Sequence, residues 1–198
     1  MLTMANNKIE ESSFKDPDST VIIQDNEIYR KINKTYEKDY EFLINSGLYN
    51  DLTKSKFLIE HTEVENIYSD CYKLIKPQKV FITYPWEWSF SQLKDAALTT
   101  LEIQLKALEY NMSLKDANCY NIQFYNNKPL LIDTASFEEY KEGTPWIAYR
   151  QFCENFLAPL ALMSYTDINL NKMLIANING IPLDITRKLL PLKAFFNI

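Results

Sequence analysis

Glycine is nearly absent from this chain of 198 residues and occurs only at Gly47, Gly143 and Gly180. Glycine-rich turns whose backbone amides surround phosphate groups define the P-loop, the dinucleotide-binding fold and the phosphate loop of protein kinases. Three glycines this far apart can form none of these motifs. Any nucleotide bound by this chain would therefore be held by side chains, by the amides of a turn and by a metal ion.

The segment 113–133 contains the polar pattern with the clearest chemical meaning. Asn121 follows Asp116 after four intervening residues, and Asp133 comes directly after an apolar run at 130–132. Kinase-like phosphotransferases arrange their chemistry in this order, with the first Asp facing the attacking hydroxyl and the Asn and second Asp holding Mg²⁺ against the nucleotide phosphates. The spacing alone is a weak signal in a chain rich in Asp and Asn, so the neighbouring elements decide its weight.

A helix and a hairpin are predicted on either side of Asp116. Ser89 and Gln92 form a capping box that begins a helix. The apolar stripe that extends this helix almost to the loop consists of Leu93, Ala97, Leu101, Leu105 and Leu108. Beyond Asp116, strand-like runs at 122–125 and 129–132 flank an Asn-Asn turn and predict a hairpin. Helix, loop, hairpin and second Asp follow one another as in the large lobe of kinases.

The first half of the chain predicts a smaller, strand-rich unit. Residues 21–32 form two strand-like runs around an Asp-Asn turn, which indicates a hairpin. A helix with an apolar face at 36–44 should end near Gly47. Further strand-like segments lie at 57–64 and 72–84, and the strongest pattern among them is Lys79–Tyr84.

We therefore predict an α+β protein with a kinase-like two-lobe fold. The expected parts are a flexible lead-in at 1–19, a small strand-rich N-terminal lobe at 20–86 and a helical C-terminal lobe at 87–198. The C-terminal lobe contains the catalytic-type loop and the second hairpin.

Composition limits the classes of partner. A net charge of −5 provides no basic surface for nucleic acid, while 46% hydrophobic and 14% aromatic residues suffice for a folded core. No apolar run reaches membrane-spanning length, and Met1–Ile9 lacks the apolar segment of a signal peptide. We expect a cytoplasmic domain with neither nucleic-acid nor membrane partners.

Cysteine and histidine usage argues against two other classes of site. Cys71, Cys119 and Cys153 are odd in number and far apart, which is typical of reduced thiols. Cys119 lies within the Asp116 loop, but the single histidine, His61, belongs to a different segment. A Cys-His or Ser-His hydrolase and a multi-histidine metal site are therefore disfavoured.

Several longer motifs resemble one bacterial group. These motifs occupy residues 84–98, 113–117, 132–138 and 146–153, together with 46–49 and 156–160. Over about residues 14–191 the chain resembles the N-terminal kinase-like region of class I SAM-dependent methyltransferases, some of them nodulation-protein-like. In that group a glycine-rich methyltransferase domain follows. Three scattered glycines cannot form a SAM site, so SAM would enter only through a separate or missing domain.

The kinase pattern assigns roles to three residues of the second half. Asp116 would accept the proton of the substrate hydroxyl, and Asn121 and Asp133 would ligate Mg²⁺. The structural alternative is that Asp116 and Asn121 cap the turn after the helix and Asp133 ends a strand. Lys115 would steady the transferring phosphoryl group, or else be an exposed lysine.

Two further assignments concern the cofactor. Arg30 would replace the phosphate-binding lysine and pair with Glu37 or Glu41 of the next helix, the alternative being a solvated strand arginine. Glu87 lies between two tryptophans at the expected hinge, where the aromatic rings would flank an adenine or would simply pack in the core.

Two functions follow from these assignments. The first is a phosphotransferase-like module that uses Mg²⁺ and ATP and acts on a hydroxyl of a small molecule or glycan. The second is a non-catalytic module that binds or docks substrate for a methyltransferase domain or subunit. The Asp116, Asn121 and Asp133 set favours the first, and the missing glycine loop favours the second.

Overall fold

An antiparallel sheet of five strands forms most of the first half of the protein in the computed structural model, which describes residues 8–9, 17–66 and 68–196. The strand order is β1-β2-β3-β5-β4. The strands are β1 Lys8–Ile9, β2 Ser19–Gln24, β3 Glu27–Asn33, β4 His61–Val64 and β5 Cys71–Pro77. Asp25 and Asn26 have φ values of 51° and 63° and turn β2 into β3, which confirms the predicted hairpin. Most of the lead-in predicted for 1–19 lies outside the described residues.

Two helices follow β3 and pack under the sheet. They are α1 Glu37–Asn45 and α2 Leu48–Lys54, and a short 3-10 turn at Lys34–Tyr36 precedes them. Gly47 separates the helices with a φ of 91°, a left-handed conformation that glycine adopts without steric cost. The predicted helix and its glycine stop are thus confirmed.

No strand forms at Lys79–Tyr84, where the sequence predicted the strongest one. β5 ends at Pro77, and the chain then crosses in extended form to a 3-10 turn at Pro85–Glu87. A run with strand propensity becomes a strand only where a neighbour offers unpaired backbone groups. Here the partner is one side chain: Gln123 accepts from Thr83 N at 2.8 Å and donates to Thr83 O at 3.0 Å.

The second half begins with the long helix α3, Phe90–Glu109, and continues into short strands. Ser89 and Gln92 form the predicted capping box, with bonds of 3.3 and 2.9 Å. The strands that follow are β6 Met112–Leu114, β7 Ile122–Tyr125, β8 Lys128–Leu131 and β9 Phe137–Glu139. β7 and β8 form the predicted hairpin, and β6 pairs with β9.

The buried face of α3 differs from the predicted stripe. Leu93 and Ala97 are buried, but Leu101, Leu105 and Leu108 are exposed. The inner face instead consists of Leu93, Ala96, Ala97, Thr99, Thr100, Ile103, Gln104 and Ala107. Hydrophobicity did not identify this face because its polar members satisfy their hydrogen bonds internally, as Gln104 does with Ser113 and with Leu114 N.

One interrupted helix spans 149–165 and supports the loop before β7. It comprises α4 Tyr149–Phe152, a wide π-helical turn at Cys153–Leu157, and α5 Ala158–Tyr165. Asn155 in the wide turn is fully buried and donates to Asn179 O at 3.2 Å. A Cβ on Gly180 would lie only 2.8 Å from the Asn155 amide and the Glu154 backbone, so this position requires glycine.

The C-terminal part of the described chain is helical. A 3-10 helix at Ile168–Ile175 precedes α6 Leu183–Leu189 and a last 3-10 turn at Leu192–Phe195. Across the ranges that the structure describes, no helix combines the length and the apolar character needed to cross a bilayer.

The two halves share one hydrophobic core. Leu43, Leu52 and Leu58 from the first half belong to the same buried cluster as Ile103 and Phe156 from the second. Two backbone hydrogen bonds strengthen this junction, since Ile59 N donates to Leu131 O at 2.9 Å and Leu131 N donates to Phe57 O at 2.8 Å. The end of β8 is thereby fixed against the segment that leads into β4.

His61 is a partly buried, neutral histidine. Its Nε2 lies 3.0 Å from the Tyr40 hydroxyl, which itself donates to Glu63, so Nε2 must carry the proton. Its Nδ1 is buried and has no hydrogen-bond partner among the described residues. Burial lowers the pKa of His61 from 6.5 to about 4, against the opposing effect of Glu63.

We expect Ile103→Ala to reduce the free energy of unfolding by about 3 kcal/mol, because it leaves a cavity in the core. Leu105→Ala should change it by less than about 0.5 kcal/mol, because Leu105 is 64% exposed. Urea denaturation of both variants measures the difference. If Leu105→Ala lost more stability than Ile103→Ala, the apolar stripe predicted from the sequence would be the buried face of α3.

We also expect the single imidazole signal in NMR to titrate near pH 4. The unfolded chain takes up this proton near pH 6.5, so the contribution of His61 to stability is complete above 6.5 and is lost as the pH falls towards 4. His61→Gln keeps a donor for Tyr40 without titrating and should flatten this part of the pH dependence. Titration near pH 6.5 in the folded protein would contradict the burial described above.

Candidate functional site

A buried ion pair joins the N-terminal sheet to the segment after β8. Arg30 Nη1 lies 2.7 Å from Asp133 Oδ1, and the two side chains are only 13% and 11% exposed. The same nitrogen donates to Ser19 Oγ at 2.7 Å. Arg30 shares the inner face of β3 with the fully buried Ile32, two residues away. The alternative of a solvated strand arginine is therefore wrong.

Asp133 is positioned by backbone contacts on both sides. Leu131, at the end of β8, is held by the hydrogen bonds to Phe57 and Ile59. Beyond it, Asp133 Oδ1 accepts from Ala135 N at 2.9 Å as well as from Arg30. Asp133 Oδ2 accepts no hydrogen bond from the described residues, so one carboxylate oxygen is available to a ligand.

Asp116 is the centre of the loop that follows β6. Its Oδ1 accepts from Asn118 N at 3.0 Å and from Gln151 Nε2 at 2.7 Å, and its Oδ2 accepts from Asn121 Nδ2 at 2.9 Å. Burial raises the pKa of Asp116, and the nearby charge of Asp133 raises it further. The hydrogen bonds expected if Asp116 and Asn121 only cap the turn are thus present. The Asp133 carboxylate is also close enough to Asp116 to affect its pKa.

Asn121 presents its carbonyl oxygen and uses its amide nitrogen internally. Nδ2 donates to Asp116 and, at 3.5 Å, to Ser136 Oγ. Its Oδ1 accepts no hydrogen bond from the residues that the structure describes. One amide oxygen and one carboxylate oxygen are the ligands that proteins commonly offer to Mg²⁺ in phosphate sites, where water and phosphate complete the coordination.

This donor set is small. The described ranges contain no group of three or more His, Cys, Asp or Glu side chains arranged to hold a metal ion. Asn121 and Asp133 fit Mg²⁺ in the manner of sites that keep several waters and bind the metal through one or two carboxylates. They do not resemble an all-protein cage.

Lys115 points towards the N-terminal segment. Its ammonium group forms an ion pair with Asp18 and lies 4.3 Å from the centre of the Tyr36 ring. Its backbone N–H donates to Ser136 O at 2.9 Å. The side chain is about 20% exposed, so the alternative of a freely exposed lysine is not what the structure shows.

Glu41 does not pair with Arg30. It accepts hydrogen bonds from the Tyr72 hydroxyl and from Asn45 Nδ2, the latter at 3.2 Å. The predicted pairing of Arg30 with Glu37 or Glu41 is therefore corrected to Asp133. Local spacing suggested a partner on the next helix, but the tertiary fold brings the arginine to a residue 103 positions away.

The aromatic cluster around Glu87 is packed into the structure. Glu87 caps its own short turn by accepting from Tyr84 N at 2.8 Å. Trp86 stacks on Tyr84 with ring centres 4.5 Å apart. Trp88 is 3% exposed and donates to Thr83 Oγ1 at 2.9 Å. These contacts support the packing alternative for both tryptophans.

Sequence reasoning missed three residues that build the site. Gln151 donates to Asp116 and accepts from Ala117 N at 2.7 Å, and Ser19 is a fully buried partner of Arg30. Tyr36 is also buried, and its hydroxyl donates to Phe137 O at 2.8 Å. Gln151 was detectable in principle, because it is an uncharged polar residue within the mostly apolar motif at 146–153.

Cys119 lacks the surroundings of a nucleophile. It is fully buried, and its Sγ lies 3.1 Å from Asn155 Oδ1. Burial raises the pKa of the thiol, so the reactive thiolate is disfavoured. His61 is hydrogen-bonded to Tyr40 instead.

We expect Arg30→Met to lower the free energy of unfolding by about 3 kcal/mol, because Asp133 would remain buried without its counter-charge. Adding Asp133→Asn should recover part of this loss, so the two changes should be clearly non-additive in a double-mutant cycle. The pair of Lys38 and Glu139, whose side chains are 82% and 47% exposed, is the solvent-exposed control and should show little coupling. Equal additivity at both pairs would contradict the buried ion pair.

Comparison with known proteins identifies one related region. The chain is 34% identical over 191 residues to the nodulation protein NoeA of Rhizobium meliloti (strain 1021), an alignment that covers 93% of this chain and 40% of that protein. The chain thus spans about two fifths of the length of this relative. No protein-family model matches the chain. The similarity supports the expected relation to a nodulation-protein-like region of a larger protein.

Proposed function

We propose that this chain is a kinase-like phosphotransferase module that uses Mg²⁺ and ATP and transfers a phosphoryl group to a hydroxyl of a small molecule or glycan. The observation that carries the proposal is the convergence of Arg30, Asp116, Asn121 and Asp133 at the junction of the two halves. Phosphoryl transfer depends on positioning and charge neutralisation, for which such a set suffices.

The order of elements supports a kinase-like two-lobe fold. Arg30 lies on the third strand, a helix follows, and two strands complete the sheet. In protein kinases the phosphate-binding lysine also lies on the third strand and is followed by a helix. The Asp116 loop and its hairpin come after the long helix α3, as the catalytic loop does in the large lobe.

The free oxygens of Asn121 and Asp133 would hold the metal. Mg²⁺ bound there would neutralise charge on the nucleotide phosphates. Asn121 is oriented for this task because its amide nitrogen is occupied by Asp116. Asp133 is oriented by Ala135 N and Arg30, which leaves its second oxygen available.

Asp116 would accept the proton of the attacking hydroxyl. A carboxylate offers about four lone-pair sites, and three are used by Asn118, Gln151 and Asn121. The remaining site on Oδ2 is available to a substrate hydroxyl. The raised pKa makes this carboxylate a better proton acceptor than an exposed aspartate.

Arg30 would exchange partners when nucleotide binds. Its guanidinium contacts Asp133 in this structure and carries donors in a planar fork suited to phosphate oxygens. These guanidinium donors would replace some of the backbone amides that a glycine-rich loop offers to phosphate. The segment 10–18, which joins β1 to β2, contains no glycine.

The second candidate is a non-catalytic module that binds substrate for, or docks onto, a methyltransferase domain or subunit. The direct contact between Arg30 and Asp133 favours it, because this ion pair neutralises both groups without any ligand. Under this function the cluster would be a structural connection between the sheet and the helices.

Calorimetric titration with ATP, in the presence and absence of Mg²⁺, distinguishes the two functions. We expect the wild type to bind ATP in the micromolar range only with Mg²⁺, and Asp133→Ala to lose that binding because it removes a metal ligand. Asp184→Asn, which changes an exposed aspartate on α6, is the matched control and should bind normally. Circular dichroism confirms that each variant is folded.

Failure of the folded wild type to bind ATP would overturn the phosphotransferase proposal and leave the binding module. Binding that persists in Asp133→Ala would place the nucleotide elsewhere in the protein. Transfer itself is then tested by following ADP release in the presence of sugar hydroxyls, with Asp116→Asn as the inactive reference.

A further inference from the structure

The outer face of α3 carries a row of exposed leucines. Leu98, Leu101, Leu105 and Leu108 are 50%, 37%, 64% and 37% exposed. Their spacing of three, four and three residues places them in one line along the helix, over about 15 Å of its length. Small residues such as Ala96 and Ala107 fill the inner face instead. Leu93 and Ile103 are the large apolar side chains of the inner face, whereas the other four leucines of this helix face solvent.

A row of acidic residues borders these leucines. Asp95, Glu102 and Glu109 follow one another at intervals of seven residues and are all exposed. Positions seven residues apart lie on the same side of a helix, and this side is adjacent to the leucine row. Within the described part of the chain, none of the three carboxylates comes within ion-pairing distance of a cation. Lys94 at the start of the helix is exposed as well, and Lys106 is paired with Asp51, so the net charge of this face remains negative and is available to a partner.

A hollow lies at the C-terminal end of the leucine row. It has a volume of about 200 Å³, and its lining includes Leu108, Tyr140, Trp146 and Ile147. Ile147 is 67% exposed at its rim. The rest of the lining is mostly polar and includes Glu138, Glu139 and Lys141. A hollow of this mixed character beside an apolar row can receive one large anchoring side chain of a bound protein that ends in a polar group.

We propose that this outer face of α3 is a docking surface for an amphipathic helix of another protein region, one whose apolar row is flanked by lysine or arginine. The straight leucine row with its alternating spacing of three and four residues matches the packing of one helix against another. The acidic row sets the charge of the partner, because opposite charges beside the apolar contact give specificity. Exposed leucines in a line are otherwise unfavourable on a protein surface.

Charge also argues against two other occupants. A second copy packed antiparallel through α3 would bring the two acidic rows together, and like charges across an interface are unfavourable. An anionic membrane surface would repel the same row. The proposed surface includes no residue of the Asp116 cluster, so it is independent of the phosphotransferase proposal.

Two synthetic helical peptides test this inference on the full chain. Each has about 21 residues with leucine at both core positions of three heptads, and they differ only in carrying lysine or glutamate at the flanking positions. Fluorescence anisotropy should show that the wild type binds the lysine peptide at least about tenfold more tightly than the glutamate peptide. Leu101→Gln with Leu105→Gln should weaken this binding about tenfold.

Charge reversal at Asp95, Glu102 and Glu109 to lysine should invert the preference between the two peptides. Ile175→Gln removes an equally exposed apolar side chain from another element and should leave binding unchanged. All changed residues are exposed, so circular dichroism and thermal unfolding should resemble the wild type.

Four results would overturn the inference. The first is equal binding of the two peptides by the wild type, and the second is a preference that charge reversal does not alter. The third is a dimer in sedimentation experiments that disappears in the Leu101→Gln, Leu105→Gln variant, which would assign the face to a second copy. Leucine-dependent binding to anionic vesicles would assign it to a membrane and would overturn the inference in the same way.

Discussion

The backbone contacts between residues 57–59 and Leu131 determine how the rest of the structure is arranged. They attach the segment that enters β4 to the end of β8, and so hold the N-terminal sheet against the helical half. Asp133 follows Leu131 by two residues, which places its carboxylate under β3 and within reach of Arg30. Tyr36 strengthens the same junction, because its buried hydroxyl bonds to backbone carbonyls on the far side of Asp133. The candidate site is therefore a product of how the two halves pack.

Within the site, hydrogen bonds determine which atoms remain available for chemistry. The amide of Asn121 is directed to Asp116, and Gln151 and Asn118 occupy the other oxygen of that carboxylate. Each polar group is held by its neighbours, and one oxygen each of Asn121 and Asp133 accepts no hydrogen bond from the described residues. Burial then raises the pKa of Asp116 instead of leaving it as an ordinary surface carboxylate. Such an arrangement is compatible with catalysis that depends on positioning, and it is equally compatible with a purely structural role at the junction.

Local chemistry in the sequence predicted local structure well. The turns at Asp25-Asn26 and Asn126-Asn127, the capping box at Ser89 and the stop at Gly47 all follow from rules that act over a few residues. Three predictions that depended on tertiary contacts were wrong. The partner of Arg30 lies 103 residues away, and Lys79–Tyr84 has no neighbouring strand to pair with. The face of α3 was misassigned because alanine, threonine and glutamine make up most of its inner side while four of its five leucines face outwards.

The bond between Gln123 and Thr83 has a mechanical consequence. The extended segment 78–84 connects the sheet covalently to α3. The Gln123 side chain of β7 holds this segment by hydrogen bonds to the N–H and the C=O of Thr83. β7 begins one residue after Asn121, so the same short strand carries the clamp and adjoins the proposed metal ligand. If the sheet rotates away from the helices to admit a ligand, it would pivot at Thr83, because Thr83 remains bonded to Gln123. Such a rotation would have to break the contacts of residues 57–59 with Leu131, and it would move Arg30 while Asn121 and Asp116 stay in place.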